Sequence, residues 1–442
     1  MAPKVDRIQG DEGLPAATEV VVIGGGVIGV SAALTLAERG IPVVLCEKGH
    51  VAGEQSSRNW GWCRQQGRDP RELPLIIESL RLWRRMNERV GAETGFRTAG
   101  VVYMEETQAG MAARENWLEY ARPYQLDSKM LTRAELGRLV PGAEARHIGA
   151  LYTASDGRAE PTRAVPAMAA AARAKGATLL QDCAVRGLEL EGGRVAAVVT
   201  EKGRIRCKAA ILAGGAWSSL FLRNLGVTLP QLKTRSSVLR TTPMDGPEHN
   251  ASGRGWGLRK RLDGGYTIAH GDWTVPEIVP DSFRFFFDFL PLLKAERKAI
   301  KLRFSREFFR EWGEKKRWRL DETTPFEVVR TLDPAPNDWV LDDAVKSLAR
   351  AFPAFANLKV AEKWAGMIDT TPDVVPVIAP VQKLPGLIVA TGFSGHGFGI
   401  GPAGGQLAAD LATGAPPLVD PGPFRFERFL DGTKPKPFGA PG

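Results

Sequence analysis

Residues 18–48 decide the fold. They begin Thr18-Glu19-Val20-Val21-Val22-Ile23-Gly24-Gly25-Gly26-Val27-Ile28-Gly29 and close with Pro42-Val43-Val44-Leu45-Cys46-Glu47-Lys48. The apolar run Val20 to Ile23 reads as a buried strand. The chain turns at three glycines and enters a helix at Gly29, with Val30, Ala33, Leu34 and Ala37 at helical spacing. Gly40 stops that helix before a second strand, Pro42 to Leu45, which ends at Glu47. This is a complete βαβ unit with Gly24-x-Gly26-x-x-Gly29 at its turn and an acid 18 residues after the last glycine.

Each glycine has a physical task. Gly24 permits the tight turn, Gly26 lets backbone approach a pyrophosphate, and Gly29 lets helix and strand pack closely. The helix N-terminus offers free N–H groups and a positive dipole end to phosphates. Glu47 is placed to accept bonds from a ribose hydroxyl pair, which argues against a 2′-phosphate. The plain alternative is a glycine-rich βα turn that binds nothing.

Working outward, 442 residues suffice for two or three domains with large cores. Hydrophobic content of 43% and charged content of 25% are those of a soluble globular protein. No 18-residue apolar run suggests a transmembrane helix, and residues 1–18 read as a flexible polar leader without a signal peptide's apolar core. Cys46, Cys63, Cys183 and Cys207 lack metal-ligand spacing, so free thiols in the cytoplasm and no metal are expected.

The net charge of +9 is uneven. Residues 281–320 hold 12 Lys/Arg against 6 Asp/Glu, interleaved with ten Phe and Trp. The simplest reading is a helical insertion that packs its aromatics on the core and solvates its charges. The alternative is contact with a membrane surface, making the protein peripheral to it, or with a second subunit in a homodimer. Nucleic acid is not expected.

Strands, glycine turns and helices recur along the chain. They divide it into a Rossmann-type α/β domain of three pieces (19–97, 150–225 and 360–432) and a mixed-sheet substrate domain (98–149 and 226–359) carrying the 281–320 insertion. A flexible tail is expected over 433–442.

A second glycine-rich loop, Thr391-Gly392-Phe393-Ser394-Gly395-His396-Gly397-Phe398-Gly399-Ile400-Gly401-Pro402, accompanies Asp156-Gly157-x-x-x-Pro161 and Thr371-Pro372-Asp373-x-x-Pro376-Val377-Ile378. Together these resemble the D-amino acid oxidase, glycine oxidase and sarcosine oxidase superfamily from about residue 19 to 430. The resemblance implies FAD. A more extended likeness is to bacterial L-amino acid deaminases, through Ala52-Gly53-Glu54-Gln55-Ser56, Cys183-Ala184-Val185-Arg186-Gly187, Val199-Thr200-Glu201-Lys202-Gly203, Leu212-Ala213-Gly214-Gly215, Thr324-Pro325-Phe326-Glu327 and Asp420-Pro421-x-Pro423-Phe424. Those deaminases carry an N-terminal membrane helix that is not seen here, which makes a soluble oxidase the expectation.

By motif, the resemblance carries cofactor contacts to Gly24, Gly26, Val27, Ile28 and Gly29, to Glu47 and Lys48, and to Glu54, Gln55, Ser56, Ser57, Arg58, Asn59, Trp60 and Gly61. It adds Val185, Ala213, Gly214 and Trp217, then Gly395, His396, Gly397, Phe398, Gly399, Ile400 and Gly401 beside the flavin. His396 would flank the ring, or simply order a glycine-rich turn. Sarcosine oxidases link flavin to a cysteine where this chain has Gly366, so a non-covalent flavin is expected. Glycine and D-amino acid oxidases hold the substrate carboxylate with an arginine where Ile368 stands; the deaminases use a strand arginine where Gly271 stands.

The carboxylate anchor has therefore moved. Arg64 is the first candidate, because its loop follows the flavin contacts and guanidinium bonds carboxylate bidentately. Arg235, Arg240 and His270 follow, each equally suited to an ordinary ion pair. Trp60, Trp62, Trp273 and Trp364 suit an apolar pocket or plain core. The implied reaction is hydride transfer from an amino acid's Cα to flavin, then hydrolysis of the imino acid to a 2-oxo acid and ammonia. Oxygen, giving hydrogen peroxide, is the expected acceptor. The alternatives are a dehydrogenase of secondary amines, opines or D-amino acids using a quinone or protein acceptor, and a non-catalytic FAD-bearing assembly protein.

Overall fold

The computed structural model describes residues 2–433 and 436–438. A six-stranded sheet runs in the order Val377–Pro380, Leu387–Thr391, Ala209–Leu212, Val20–Ile23, Val43–Cys46, Thr178–Leu180. All its pairs are parallel except the antiparallel edge pair Val377–Pro380 with Leu387–Thr391. Its central strands Val20–Ile23, Val43–Cys46 and Ala209–Leu212 are apolar throughout because both faces are covered. Val20 and Val22 face the helices, while Val21 and Ile23 face a three-stranded meander, as the two-residue strand period requires.

The helices on the first face are Val27–Glu38, Leu73–Arg84, Pro161–Ala174 and Gly397–Thr413. The first and last lie in close contact. A Cβ at Gly405 would sit 2.4 Å from Ser31 Cβ, and one at Gly401 would sit 2.6 Å from Val27. Their N-terminal turns are thereby neighbours at one end of the sheet.

A second, nine-stranded mixed sheet packs beside the first. Its long pair, Leu232–Thr241 with Val360–Thr370, is antiparallel over the full length of the shorter strand. The boundaries expected at 150 and 360 need correction, since Gly149–Thr153 and Val360–Thr370 both belong to this second sheet. Strand membership is settled by the partner strands, Val101–Glu105 and Ser128–Thr132 for the first and Leu232–Thr241 for the second, which no local pattern reveals. The apolar stretch 205–213 is divided between two strands, Gly203–Arg206 and Ala209–Leu212, broken where the chain passes from the meander to the parallel sheet.

The leader is not loose. Val5 is buried, Asp6 and Asp11 donate backbone bonds to Thr162 and Leu179, and Ala17 bridges to Arg206. It fills the groove beside the Pro161–Ala174 helix, which would otherwise expose apolar surface. Most of the tail expected to be flexible lies outside the described residues.

The 281–320 insertion forms helices Pro280–Arg284, Phe286–Ala295 and Glu307–Gly313. The expectation that it packs its aromatics on the core is corrected. Phe285 and Trp318 are buried, whereas Phe283, Phe286, Phe287, Phe304, Phe309 and Trp312 are exposed. Phe304, Phe308, Phe309 and Trp312 pack mainly on one another. Three short helices enclose too little volume to cover so many rings. Among the described residues no helix is long and apolar enough to cross a membrane.

Candidate functional site

Two helix N-termini converge on one elongated cleft. The first is Val27–Glu38, entered through Gly24, whose φ of +111° places it in the region that favours glycine. A Cβ on Gly24 would lie 2.4 Å from the carbonyl oxygen of Ala213, and one on Gly29 2.0 Å from that of Gly24. Gly26 is different, with only the Ser56 hydroxyl near its missing Cβ, at 3.0 Å. Its bare backbone therefore faces the cleft. Ser56 Oγ accepts the Val27 N–H at 2.8 Å.

The second N-terminus was expected to be a loop through Gly401. The helix instead begins at Gly397, so Gly397 and Phe398 open its first turn with N–H groups free of intrahelical partners, while Ile400 and Gly401 lie buried inside it. The turn before it is pinned by Asp369, whose carboxylate accepts the Gly392 N–H at 2.7 Å and the Thr391 hydroxyl at 3.1 Å. Ser394 and Gly395 both take positive φ.

Between these ends the cleft is lined by Gly24, Gly26, Val27, Ile28, Glu47, Lys48, Glu54, Gln55, Ser56, Asn59, Val185, Ala213, Gly214, Trp217, Gly395, Gly397 and Phe398, all expected from the sequence. Glu47 closes the second strand and accepts the Gly25 N–H at 2.7 Å and the Gly49 N–H at 2.8 Å. Burial raises its pKa, against the pull of Lys48 and those two amides. Lys48 and Glu54 also tie the cleft wall to a later segment. Lys48 Nζ donates to Glu54 and to the carbonyls of Val329 and Arg330, and Glu54 accepts from Trp217 Nε1 and the Leu332 amide.

Ser57 and Arg58 do not line the cleft. They share the single-turn helix Gln55–Arg58 with Ser56, and successive residues on a helix point about 100° apart. Facing Ser56 inward turns Arg58 toward the second sheet, where it bonds Asp333, the Ala365 carbonyl and the Gly53 carbonyl. Ser57 lines a separate small cavity with Arg240, Arg259 and Trp364.

A second cavity opens from the cleft and shares Gln55, Asn59, Gly395 and Phe398 with it. Trp60, Gly61, Trp62, Arg64, His270, Trp273, Ile368, His396 and Gly399 line this cavity rather than the cofactor cleft. Gln55 Oε1 is buried between the two cavities with no hydrogen-bond partner. A Cβ on Gly366 would lie 2.1 Å from that oxygen, so any side chain at this position would have to displace the Gln55 amide.

The candidate anchors separate clearly. Arg235 is buried in a pair with Glu277 at 2.9 Å, and Arg240 bonds Glu362 at 2.8 Å; neither lines the cavity. His270 does line it, but both ring nitrogens are engaged. Nε2 bonds Asp343 at 3.1 Å, Nδ1 accepts the Asp272 and Trp273 amides, and the ring stacks on Trp273. Trp364 is core, with its Nε1 on the Arg58 carbonyl. Arg64 remains. One Nη donates to the carbonyl of Gln66 in its own loop, and no acid pairs with it among the described residues. That loop is held by buried Asp156, which accepts the Gln65 amide at 2.8 Å and the Gln66 amide at 3.1 Å.

Seven charged residues here were missed from the sequence. Arg68, Arg114, Arg254, Glu105, Glu106 and Asp272 line the cavity, and Glu72 lies buried behind it. Arg68 and Glu72 stand four apart, a spacing equally typical of a surface ion pair, so no local signal marks them. Among the described residues no cluster of three or more His, Cys, Asp or Glu is placed to hold a metal ion.

A long cleft with a bare-backbone turn and an acid at one end, and a second helix N-terminus at the other, fits FAD. Comparison with known proteins agrees. A family model described as DAO, FAD dependent oxidoreductase, matches residues 19–411. The chain belongs to this family. It is an FAD-dependent oxidoreductase of amino acids or amines. Glycine oxidase of Pseudomonas aeruginosa is 26% identical over 92% of this chain and 97% of its own length. The structure of L-amino acid deaminase from Proteus myxofaciens in complex with anthranilate superimposes with a TM-score of 0.93 and 34% identity, covering 97% of this chain and 98% of that one. L-amino acid deaminase from Proteus vulgaris gives 0.91 and 32%, covering 96% and 100%.

Proposed function

We propose that this DAO-family protein catalyses oxidative deamination of an L-amino acid to a 2-oxo acid and ammonia. The observation that carries this reading is the Arg64-lined cavity opening from the cofactor cleft through Gln55, Asn59, Gly395 and Phe398. The end-to-end likeness to two L-amino acid deaminases supports it.

In this reading the turn at Gly26 and the Val27–Glu38 N-terminus hold the pyrophosphate, and Glu47 holds the adenosine ribose. The free N–H groups of Gly397 and Phe398 would hold the flavin end of the cofactor and stabilise the negative charge it gathers on reduction. When bound, FAD supplies the acceptor for the hydride that leaves Cα. Arg64 takes the substrate carboxylate and so orients Cα, which is the main catalytic task when no bond to the protein is made. Trp60, Trp62 and Trp273 exclude water and receive the side chain.

The test is anaerobic titration with the nineteen chiral proteinogenic L-amino acids, their D forms, glycine and sarcosine. Bleaching of the flavin by L forms with release of ammonia is expected. Bleaching by sarcosine or D forms alone selects the secondary-amine or D-amino acid reading. No bleaching by any of them leaves a non-catalytic flavoprotein.

Oxygen is the proposed acceptor, with hydrogen peroxide as product. The exposed Phe287, Phe304, Phe309 and Trp312 among basic side chains favour a second reading, a quinone reached at an anionic membrane. Stoichiometric peroxide in lipid-free buffer selects oxygen. Reoxidation that requires anionic vesicles carrying a quinone, and is lost in Phe287→Asp/Trp312→Asp, selects the membrane.

A further inference from the structure

Behind the cavity lies a buried ionic group that the reaction above leaves unused. Glu72 is fully buried at the end of the short turn Pro70–Glu72. Its carboxylate oxygens lie 3.0 and 3.3 Å from His396 Nδ1. Arg68 Nη1 stands 4.0 Å from the same carboxylate, itself buried and without a hydrogen-bond partner, while Arg68 Nε donates to the Arg64 carbonyl at 3.1 Å. His396 is the residue that enters the Gly397–Thr413 helix, and it lines the cavity between Gly395 and Gly399.

This arrangement fixes the state of the imidazole. An ionised carboxylate can only accept, so Nδ1 must carry the hydrogen and Nε2 the lone pair. Nε2 makes no hydrogen bond to a described residue, and the side chain keeps 23% of its surface open. A histidine serving only to tie two segments together needs no such unpaired lone pair on a residue that lines the cavity.

We propose that His396 Nε2 accepts the proton that the substrate's α-ammonium group must lose before hydride can leave Cα, with Glu72 as the positioning residue that sets the tautomer and stabilises the imidazolium. The proposal rests on the amino acid reading of the cavity. The step is a proton transfer without redox change. An N–H bond of the ammonium breaks and the Nε2–H bond forms; the lone pair left on nitrogen would become the C=N bond once bound FAD supplied the hydride acceptor. The proton then passes to solvent through the cavity.

The electrostatics agree with a neutral base at rest. The charged groups facing His396 are Glu72, Arg68 and Arg64, and its own helix has no acid in its first turn. Burial lowers the histidine's pKa and both arginines lower it further, against the pull of Glu72. Glu72 is held below the ordinary carboxylate range. Burial alone would raise it; His396, Arg68 and Arg64 together overcome that.

Two measurements test this. In anaerobic stopped flow, His396→Gln should slow flavin reduction about 100-fold at pH 7, with the deficit shrinking below about 10-fold at pH 10, where the substrate deprotonates unaided. Glu72→Gln should do the same to a smaller degree. A deficit equal at every pH, or none, overturns the proposal while leaving the functional reading intact. Failure of the wild type to bleach with any amino acid overturns both. Should either variant not fold, nitrogen-15 spectra of the five histidines in the wild type, assigned by replacing the other four, decide the matter. They should show His396 as the Nδ1–H tautomer at neutral pH, and an Nε2–H tautomer overturns the proposal.

Discussion

Arg259 grips Glu160 with two bonds, Nη1 to Oε1 at 2.7 Å and Nη2 to Oε2 at 3.1 Å, in the buried seam between the two sheets. Glu160 precedes the Pro161–Ala174 helix of the cofactor domain, and Arg259 lies on strand Trp256–Lys260 of the second sheet. The same guanidinium donates to the Trp60 carbonyl at 2.6 Å. One ion pair thus sets both the domain packing and the backbone from which the Arg64 loop departs. Removing one partner strands the other charge in low dielectric. Glu160→Gln should cost about 3–5 kcal/mol, and Glu160→Leu/Arg259→Met should recover most of it, as read from urea unfolding.

The same pair predicts an acid dependence. Burial would raise the Glu160 pKa, but Arg259 overcomes it and holds the carboxyl at about 2, below its unfolded value of 4.5. Its stabilisation is therefore fully present above pH 4.5 and lost as pH falls toward 2. The wild type should lose its advantage over Glu160→Gln across that window; a constant difference would contradict the assignment.

Asp156 predicts the opposite slope. Burial pushes its carboxyl up to about 7, despite two amide bonds from Gln65 and Gln66. Between pH 4 and 7 the folded state keeps a proton that the unfolded state releases, so this group's contribution falls as pH rises. Asp156→Asn should flatten that part of the stability profile.

Gly29 leaves no room for a methyl group, since a Cβ would meet the Gly24 carbonyl oxygen at 2.0 Å. That oxygen belongs to the backbone, so it cannot swing aside as a side chain could. Gly29→Ala should cost about 1–3 kcal/mol and distort the pyrophosphate turn. The flavin absorbance retained per protein after gel filtration should fall at least about tenfold.

Arg64→Ala should lower kcat/KM for the best amino acid by about 10–150-fold, the value of a charged hydrogen bond. Arg64→Lys should recover only part of this, because an ammonium cannot bond both carboxylate oxygens in one plane. Arg240→Ala removes a guanidinium already held by Glu362 outside the cavity and should leave KM unchanged.

Much of this was legible in the sequence because it is local. A βαβ unit with three glycines and an acid is read within thirty residues, and local sterics dictate each of its parts. What could not be read was direction. Ser56, Ser57 and Arg58 are adjacent in sequence, yet helical geometry sends only the serine at 56 into the cleft. Arg64, Arg235 and Arg240 have the same chemistry and differ only in whether a distant acid has claimed them.

The sequence by itself determined a dinucleotide site, because phosphate recognition here is done by backbone whose shape the glycines dictate; FAD was implied by the family resemblance of the second glycine-rich loop. The tertiary structure decided which arginine is unclaimed, where the insertion's aromatics point, and that Glu72 lies behind His396 from 324 residues away. Those outcomes depend on burial and on partners brought together by the second sheet and by the packing of distant helices. Charge pairing follows proximity in space, and no spacing along the chain encodes it.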